Sequence, residues 1–141
     1  MNIRKALSSD AARIADLLSQ LGYPGTDHFI KENIAQLLVH TDAELVVAVE
    51  NGRVLGFISI HFIPQLALRG PIARISYLCV DEEARGKGVG HELEEYCVQL
   101  ATSRGCDRIE LHCNSSRQRA HKFYFGQGYQ EWPKYLMKKL G

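Results

Sequence analysis

A glycine-rich loop at residues 85–90 constrains the fold more than any other feature of this 141-residue chain. The loop follows an apolar run at residues 72–80 and leads into a stretch with helical periodicity that ends near Gly105. A strand, a loop and a helix in this order predict a crossover unit of an α/β fold. Glycines let the backbone approach a ligand closely, and the first N–H groups of the helix lack intrahelical partners. With Arg85 and Lys87 adding positive charge, the loop is either an anion-binding cradle or a simple tight turn.

Residue spacing separates three phosphate-binding motifs that such a loop could represent. A Walker loop requires a glycine and a Ser or Thr at the places that Asp81 and Gly88 occupy here. A dinucleotide fingerprint that starts at Gly86 requires another glycine where this chain has His91. The third pattern, Arg or Gln-x-x-Gly-x-Gly or Ala after a strand, matches at Arg85, Gly88 and Gly90.

Apolar periodicity and turn signals predict the remaining elements. Strands are expected at residues 2–6, 44–50, 53–62, 72–80, 107–113 and 135–140, with helices at residues 10–21, 27–38, 89–104 and 116–125. Asn51-Gly52 predicts a hairpin between the second and third strands. The order β-α-α-β-β-β-α-β-α-β therefore predicts an α/β fold with a mixed central sheet and helices on both faces.

Length and charge limit the classes of protein to consider. A chain of 141 residues with 45% apolar content predicts one domain over residues 1–141. The net charge of +1 gives no global footprint for nucleic acid or an anionic membrane. No N-terminal signal core and no apolar run of ~20 residues are visible, so we expect a cytoplasmic protein that is not in a membrane.

Cysteine and histidine patterns give no indication of a metal site. The four cysteines form no C-x-x-C pair, and we expect reduced, buried thiols. The six histidines include no pair spaced four residues apart in a predicted helix. We therefore expect no metal.

A second signature lies near the C-terminus, where residues 120–129 read Ala-His-Lys-Phe-Tyr-Phe-Gly-Gln-Gly-Tyr. Together with the element order, the hairpin, the glycine loop and Asn114, this segment resembles the GNAT-type acyl-CoA N-acetyltransferases. The resemblance runs nearly from end to end. Within the segment, Ala120-His121-x-Phe123-Tyr124 further resembles the branch that acetylates small amines, including aminoalkylphosphonates and polyamines.

The resemblance implies an acyltransferase that uses acetyl-CoA as its acetyl donor, with a defined set of donor-binding residues. The loop residues Arg85, Gly86, Lys87, Gly88, Val89, Gly90 and His91 would hold the pyrophosphate, chiefly through backbone amides. Main-chain groups of Leu78 and Val80 would pair with the pantetheine arm, and Asn114 would contact the same arm. Each of these assignments has a purely structural alternative. Asn114 could simply cap the next helix, and the glycines could simply form a tight turn between strand and helix.

Two residues receive catalytic roles from the same resemblance. The Leu78 amide would stabilise the negative charge that develops on the thioester carbonyl oxygen when an amine attacks. Tyr124 would act as general acid toward the departing thiolate. Alternatively, Tyr124 only packs against Phe123.

The general base has no assigned residue. Many relatives carry a glutamate on the strand before the loop, at places taken here by Arg74 and Ser76, and residues 72–80 contain no acid. Since an alkylamine of pKa ~10.4 is almost entirely protonated at pH 7, its proton must be removed. Five candidates for the base stay open: Glu110, His112, His61, His121 and a relay of water molecules.

The acceptor is expected to be a primary amine of a small molecule. Candidate acceptor-binding residues are Tyr23, His28, Arg69, Ser76 and His112. Two other functions stay open: acetylation of protein or peptide amines, and a non-catalytic acyl-CoA sensor. A homodimer that pairs through the terminal strand is a further open expectation.

Overall fold

The computed structural model describes residues 1–113, 116–132 and 134–141, and within them the chain forms five strands and four α-helices. The strands are β1 (Asn2–Lys5), β2 (Ala43–Glu50), β3 (Arg53–Ile63), β4 (Ile72–Val80) and β5 (Arg108–Leu111). The helices are α1 (Ala11–Leu21), α2 (Ile30–Val39), α3 (Val89–Ser103) and α4 (Gln118–Gly126). The predicted order is therefore confirmed from β1 to α4.

The five strands form one mixed sheet in the order β1-β2-β3-β4-β5. Antiparallel pairing joins β1 to β2, β2 to β3 and β3 to β4. In contrast, β5 runs in the direction of β4: the Asp107 N–H donates to the Pro71 carbonyl oxygen, and Glu110 meets Arg74 three residues further along both strands. The α3 crossover makes this parallel arrangement possible.

The β2–β3 hairpin turns at the predicted dipeptide. Asn51 and Gly52 both have positive φ, 52° and 76°, as a type I′ turn requires. Two β-bulges follow. Val49 pairs with Val54 but Ala48 with Gly56, so Leu55 is an extra residue in β3.

The second bulge lies in β4 and matters for the functional site. Ser59 of β3 pairs with Tyr77, whereas Ile60 pairs with Ile75, so Ser76 is the extra residue. A bulge bends a strand locally and changes the direction of its side chains. Ser76 and Tyr77 are both exposed although β4 is otherwise partly or fully buried.

Helices α1 and α2 cover one face of the sheet. Their apolar stripes pack into one buried cluster with side chains from β2, β3 and β4; its largest members are Ile14, Leu17, Leu18, Ile34, Leu45, Val47 and Phe57.

Helix α3 covers the opposite face. Val46 and Ala48 alternate with Val47 along β2, so they point away from α1, and both are fully buried. Gly56 pairs with Ala48, and a Cβ added there would lie 3.3 Å from side-chain atoms of both Val89 and Leu93 of α3. The prediction of helices on both faces is confirmed.

Contacts divide the described chain into two compact units, Met1–Glu110 and Leu111–Gly141. Within the second unit, Tyr124 of α4 makes edge-on ring contacts with Phe123 and Tyr129, with centroid separations of 5.2 and 5.5 Å. His112 stacks on Tyr135 at 4.0 Å.

The predicted closing strand at residues 135–140 is wrong for the described chain, because residues 134–141 carry no strand. A strand needs a neighbouring strand for its N–H and C=O groups, and apolar alternation shows only that one face could be buried. Here Leu136, Met137 and Leu140 are 91, 69 and 92% exposed. The proposed homodimer through this segment stays a prediction.

The four cysteines are free, and Cys79 and Cys97 are buried. Burial raises the pKa of Cys97 to about 12, so this thiol stays protonated at neutral pH and is not a nucleophile.

In the described ranges no helix is both long and apolar enough to cross a bilayer.

Candidate active site

Asp81 fixes the chain where β4 passes into the glycine loop. Its buried carboxylate accepts hydrogen bonds from Arg13 of α1, from Arg53 of β3 at 3.3 Å and from the Glu83 N–H at 3.0 Å. Its own N–H donates to the Leu55 carbonyl oxygen at 2.8 Å. The hydrogen bond from Arg13 is the main reason that the pKa of Asp81 is held below its ordinary value. The loop therefore starts from a fixed, ionised anchor.

The loop itself is open and turns through glycines. Gly86 and Gly88 have φ of 84° and 82°, a region that other residues rarely adopt, and a Cβ at either would meet no described heavy atom within 4 Å. Gly88 is the N-cap of α3, and its carbonyl accepts the Glu92 N–H at 3.0 Å. That bond is the first α-helical one, so the N–H groups of Val89 and Gly90 have no intrahelical acceptor.

The electrostatics of the loop favour an anion. The positive end of the α3 dipole coincides with these N–H groups, and the exposed side chains of Arg85 and Lys87 flank them. The N–H groups at the start of α3, the positive end of its dipole and the room around the glycines together favour the binding of an anion. The predicted loop residues from Arg85 to His91 are thus contiguous in space as well as in sequence.

The second half of β4 presents main-chain groups away from β3. Because the Asp81 N–H points to β3 and successive N–H groups along a strand alternate, the N–H groups of Leu78 and Val80 point to the opposite edge. β5 lies beside the first half of β4, since Glu110 is level with Arg74, and among the described residues it ends at Leu111. The Leu78 and Val80 amides therefore lie on the part of β4 that runs beyond β5.

A polar cluster surrounds the bulge in β4. His61 of β3 pairs across the sheet with Arg74, and its Nδ1 lies 2.9 Å from the Ser76 hydroxyl oxygen. Arg74 donates to a Glu110 carboxylate oxygen at 3.4 Å. Burial lowers the pKa of His61, and the nearby charges of His40 and Arg74 lower it further. The imidazole of His61 is therefore neutral at pH 7.

An aromatic pair extends this cluster along the same face. Tyr23, which follows α1, meets Tyr77 edge-on with ring centroids 5.4 Å apart. Tyr77 pairs with Ser59, two residues from His61 on β3, so Tyr77 and His61 lie on one face of the sheet. The structure thus brings together two of the predicted acceptor-binding residues, Tyr23 and Ser76, through Tyr77.

The other predicted acceptor-binding residues lie elsewhere. His28 is exposed on the 3-10 turn Thr26–His28, and Arg69 is exposed in the bend between β3 and β4. Among the described residues no hydrogen bond or ion pair joins either of them to the Ser76 cluster. His112 belongs to the second unit, with Tyr135 stacked on it.

The roles predicted for Tyr124 and Asn114 depend on contacts with the donor. Tyr124 is half-buried in α4 and belongs to the second compact unit, where it contacts neighbouring rings. Asn114 lies outside the described residues. Their assignments remain predictions.

Sequence reasoning missed the anchor of the loop and the partner of Ser76. Asp81 and Arg13 are 68 residues apart, and His61 and Ser76 are 15 apart on paired strands. An aspartate directly after an apolar strand was the available signal for the anchor. The bulge that turns Ser76 toward His61 has no signal in the apolar pattern.

The chain matches the family model of the acetyltransferase (GNAT) family over residues 11–129. It is 28% identical over 130 residues to an aminoalkylphosphonate N-acetyltransferase of Salmonella typhimurium. The aligned region covers 92% of this chain and 84% of that protein. It is 30% identical to an uncharacterized N-acetyltransferase of Bacillus subtilis, over 93% of this chain and 91% of that protein.

Solved structures support the same fold. The crystal structure of a transcriptional regulator from Bacillus halodurans aligns with a TM-score of 0.89 over 99% of both chains, at 23% identity. At that identity the likeness establishes the architecture alone. The glycine loop at residues 85–90 and the β4 bulge at Ser76 both lie within the range that the family model matches.

Proposed function

The chain belongs to the GNAT family and is an N-acetyltransferase, and from this premise we propose that it transfers the acetyl group of acetyl-CoA to the primary amine of a small molecule by direct attack. The open glycine loop at the start of α3 carries the proposal. It combines the N–H groups at a helix N-terminus, positive charge and room for a ligand next to a strand with outward-facing amides.

The loop fits a diphosphate. We assign the pyrophosphate of the donor to the backbone amides of residues 86–91, with Arg85 and Lys87 supplying long-range attraction. The open space at Gly86 and Gly88, where an added Cβ would meet no described atom within 4 Å, supports this assignment. Phosphate oxygens need close access to main-chain nitrogen atoms.

The edge of β4 suits the extended arm of the donor. Main-chain groups of Leu78 and Val80 would pair with the pantetheine amides as a neighbouring strand would. The Leu78 amide is assigned to the carbonyl oxygen of the thioester, where it would stabilise developing negative charge. The donor itself supplies a thioester, whose thiol is a good leaving group.

Tyr124 is assigned as the general acid that protonates the departing thiolate, whose ordinary pKa is ~8.5. Its half-buried hydroxyl-bearing ring is fixed by two aromatic contacts within α4 and the following turn. A fixed ring suits proton donation in a set direction. Asn114 is assigned to the pantetheine arm on the basis of the family pattern alone.

The acceptor site is assigned to the face that carries Tyr23, Tyr77 and Ser76. Aromatic walls with a hydroxyl at one end suit the alkyl part and the amine of a small molecule. The Salmonella typhimurium relative acts on aminoalkylphosphonates, which supports a small amine as acceptor. His28, Arg69 and His112 stay candidates for the distal part of the acceptor.

Two measurements test the proposal. Titration calorimetry with acetyl-CoA should give a saturable heat, and free thiol should appear when a panel of small amines, aminoalkylphosphonates among them, is added. A donor that binds without amine-dependent thiol release would support a sensor instead. Absence of donor binding at submillimolar concentration would contradict the whole proposal.

A further inference from the structure

We propose that His61 and Ser76 form the proton path for the acceptor amine, with His61 as the final base and Ser76 as the group that faces the amine. This inference rests on the proposed function and supplies the base that the sequence leaves unassigned. The family resemblance does not point to it, because the strand positions with a glutamate in many relatives carry Arg74 and Ser76 here.

The pair lies close to the main-chain amide that the proposed function assigns to the thioester. Ser76 precedes Leu78, the assigned oxyanion donor, by two residues, which corresponds to ~7 Å along a strand. The bulge leaves Ser76 exposed on the face that also carries Tyr77, while His61 is half-buried behind it. The 2.9 Å separation of His61 Nδ1 and Ser76 Oγ is hydrogen-bonding distance.

The surroundings of His61 keep its imidazole neutral and available. β4 contributes the Arg74 cation, the residue after α2 contributes His40, and β2 contributes the apolar Ala43 as the cross-strand neighbour. Among the described residues no carboxylate forms an ion pair or hydrogen bond with His61, and Glu110 is engaged by Arg74. A histidine without an acidic partner accepts a proton transiently and does not retain it.

The proton balance is complete. The ammonium N–H bond breaks, its electron pair becomes the nucleophile, and the proton passes to Ser76 Oγ while the Ser76 proton passes to His61 Nδ1. The transfer is uphill, because the pKa of an alkylamine is ~10.4 and that of His61 is lower than the ordinary histidine value, so the neutral amine exists only briefly before it attacks the thioester. Tyr124 gives its proton to the thiolate and regains one from the second amine N–H, and His61 returns its proton to solvent.

The pH dependence of wild type and His61→Gln tests this path. The wild-type kcat/KM for the amine should fall on the acidic side as His61 becomes protonated, with an apparent pKa below the ordinary histidine value. In His61→Gln, kcat/KM should drop by roughly 10²-fold and should rise with hydroxide over the whole pH range, without the plateau that wild type reaches once His61 is neutral. The affinity for acetyl-CoA should not change.

Serine variants separate the relay from packing. Ser76→Ala should lower kcat/KM by roughly tenfold, because a water molecule replaces the hydroxyl imperfectly. Ser59→Ala, on the same face of the sheet, should leave the pH profile intact. NMR titration of the His61 ring, identified by its loss in His61→Gln, should give the same low pKa without any turnover.

Three outcomes would overturn the inference while the proposed function stands. They are a His61→Gln enzyme with the wild-type acidic limb, a His121→Gln enzyme that lacks the limb, and an NMR pKa at or above the ordinary histidine value. If wild type transfers acetyl to no amine at all, the proposed function fails first, so the two failures are distinguishable.

Discussion

Arg13, in the first turns of α1, donates to the buried carboxylate of Asp81 and, through Nε, to the Val54 carbonyl oxygen at 2.9 Å. The Asp81 side chain is only 4% exposed and that of Arg13 is 21% exposed, so the pair is shielded from solvent. One guanidinium thus joins α1, β3 and the entry to the glycine loop.

Asp81→Asn should destabilise the protein by about 3 kcal/mol, because it removes the buried counter-charge of Arg13 and leaves that guanidinium only the exposed carboxylate of Asp16. Denaturant unfolding at neutral pH measures the change. Asp16→Asn is the matched control: Asp16 also pairs with Arg13, at 3.0 Å, but its side chain is 64% exposed, so the loss should stay below about 0.5 kcal/mol. Equal losses in the two variants would contradict the role of Asp81 as the anchor.

Acid should weaken the protein partly through Asp81. The pKa of Asp81 is lowered in the folded state from its ordinary value of 3.8, so its contribution to stability is present above that value and is lost as the pH falls through the folded pKa. Below pH 3.8 the unfolding free energy of wild type should therefore fall more steeply than that of Asp81→Asn. Parallel curves would show that the carboxylate titrates normally.

Gly88→Asp should weaken acetyl-CoA binding by at least roughly tenfold, because its carboxylate would occupy the N–H groups assigned to the pyrophosphate. Calorimetry measures the affinity and a thermal melt checks folding. Gly105→Asp is the control, since Gly105 also has positive φ and open surroundings but follows the far end of α3, ~22 Å away. Unchanged affinity in Gly88→Asp would place the donor elsewhere.

Tyr124→Phe should lower kcat by roughly 10²-fold with little change in donor affinity, because it removes the proposed acid but keeps the ring. Steady-state kinetics and calorimetry on the same preparation separate the two effects. Tyr129→Phe, which alters the ring packed against Tyr124, should retain turnover. Wild-type kcat in Tyr124→Phe would leave this tyrosine with a packing role only.

Gly56→Ala should cost about 1–3 kcal/mol of stability, since the added Cβ would lie 2.7 Å from the Cys79 carbonyl oxygen and 3.3 Å from α3 side chains. Unfolding experiments measure the loss. Gly126→Ala serves as control because Gly126 lies in a helix with open space around it, where alanine is at least neutral. A stable Gly56→Ala protein would mean that α3 packs less closely on β3 than the structure indicates.

Local pattern was enough to predict most of the fold. The bounds of β4 at Ile72–Val80, the hairpin at Asn51-Gly52 and the start of α3 after Gly88 all depend on a few adjacent residues, and each agrees with the structure. The glycine loop could be predicted for the same reason, since its backbone conformation is specified by its own residues.

The rest of the site depends on contacts across the sheet and could not be read from periodicity. Arg13 reaches Asp81 only because α1 packs on β3. The hydrogen bond between His61 and Ser76 depends on one inserted residue in β4. At residues 135–140 the apolar pattern predicted a strand that the structure does not contain, because alternation of apolar residues does not specify whether a neighbouring strand exists.

Helix α1 has Arg13 near its start and leads into Tyr23 at its end, where the Tyr23 N–H donates to the Leu18 carbonyl oxygen at 2.8 Å. A helix of 11 residues is a rod of ~16 Å that connects the entry of the glycine loop to Tyr23. A substitution that tilts α1 on the sheet would therefore displace both ends together, and with them the regions assigned to the two substrates.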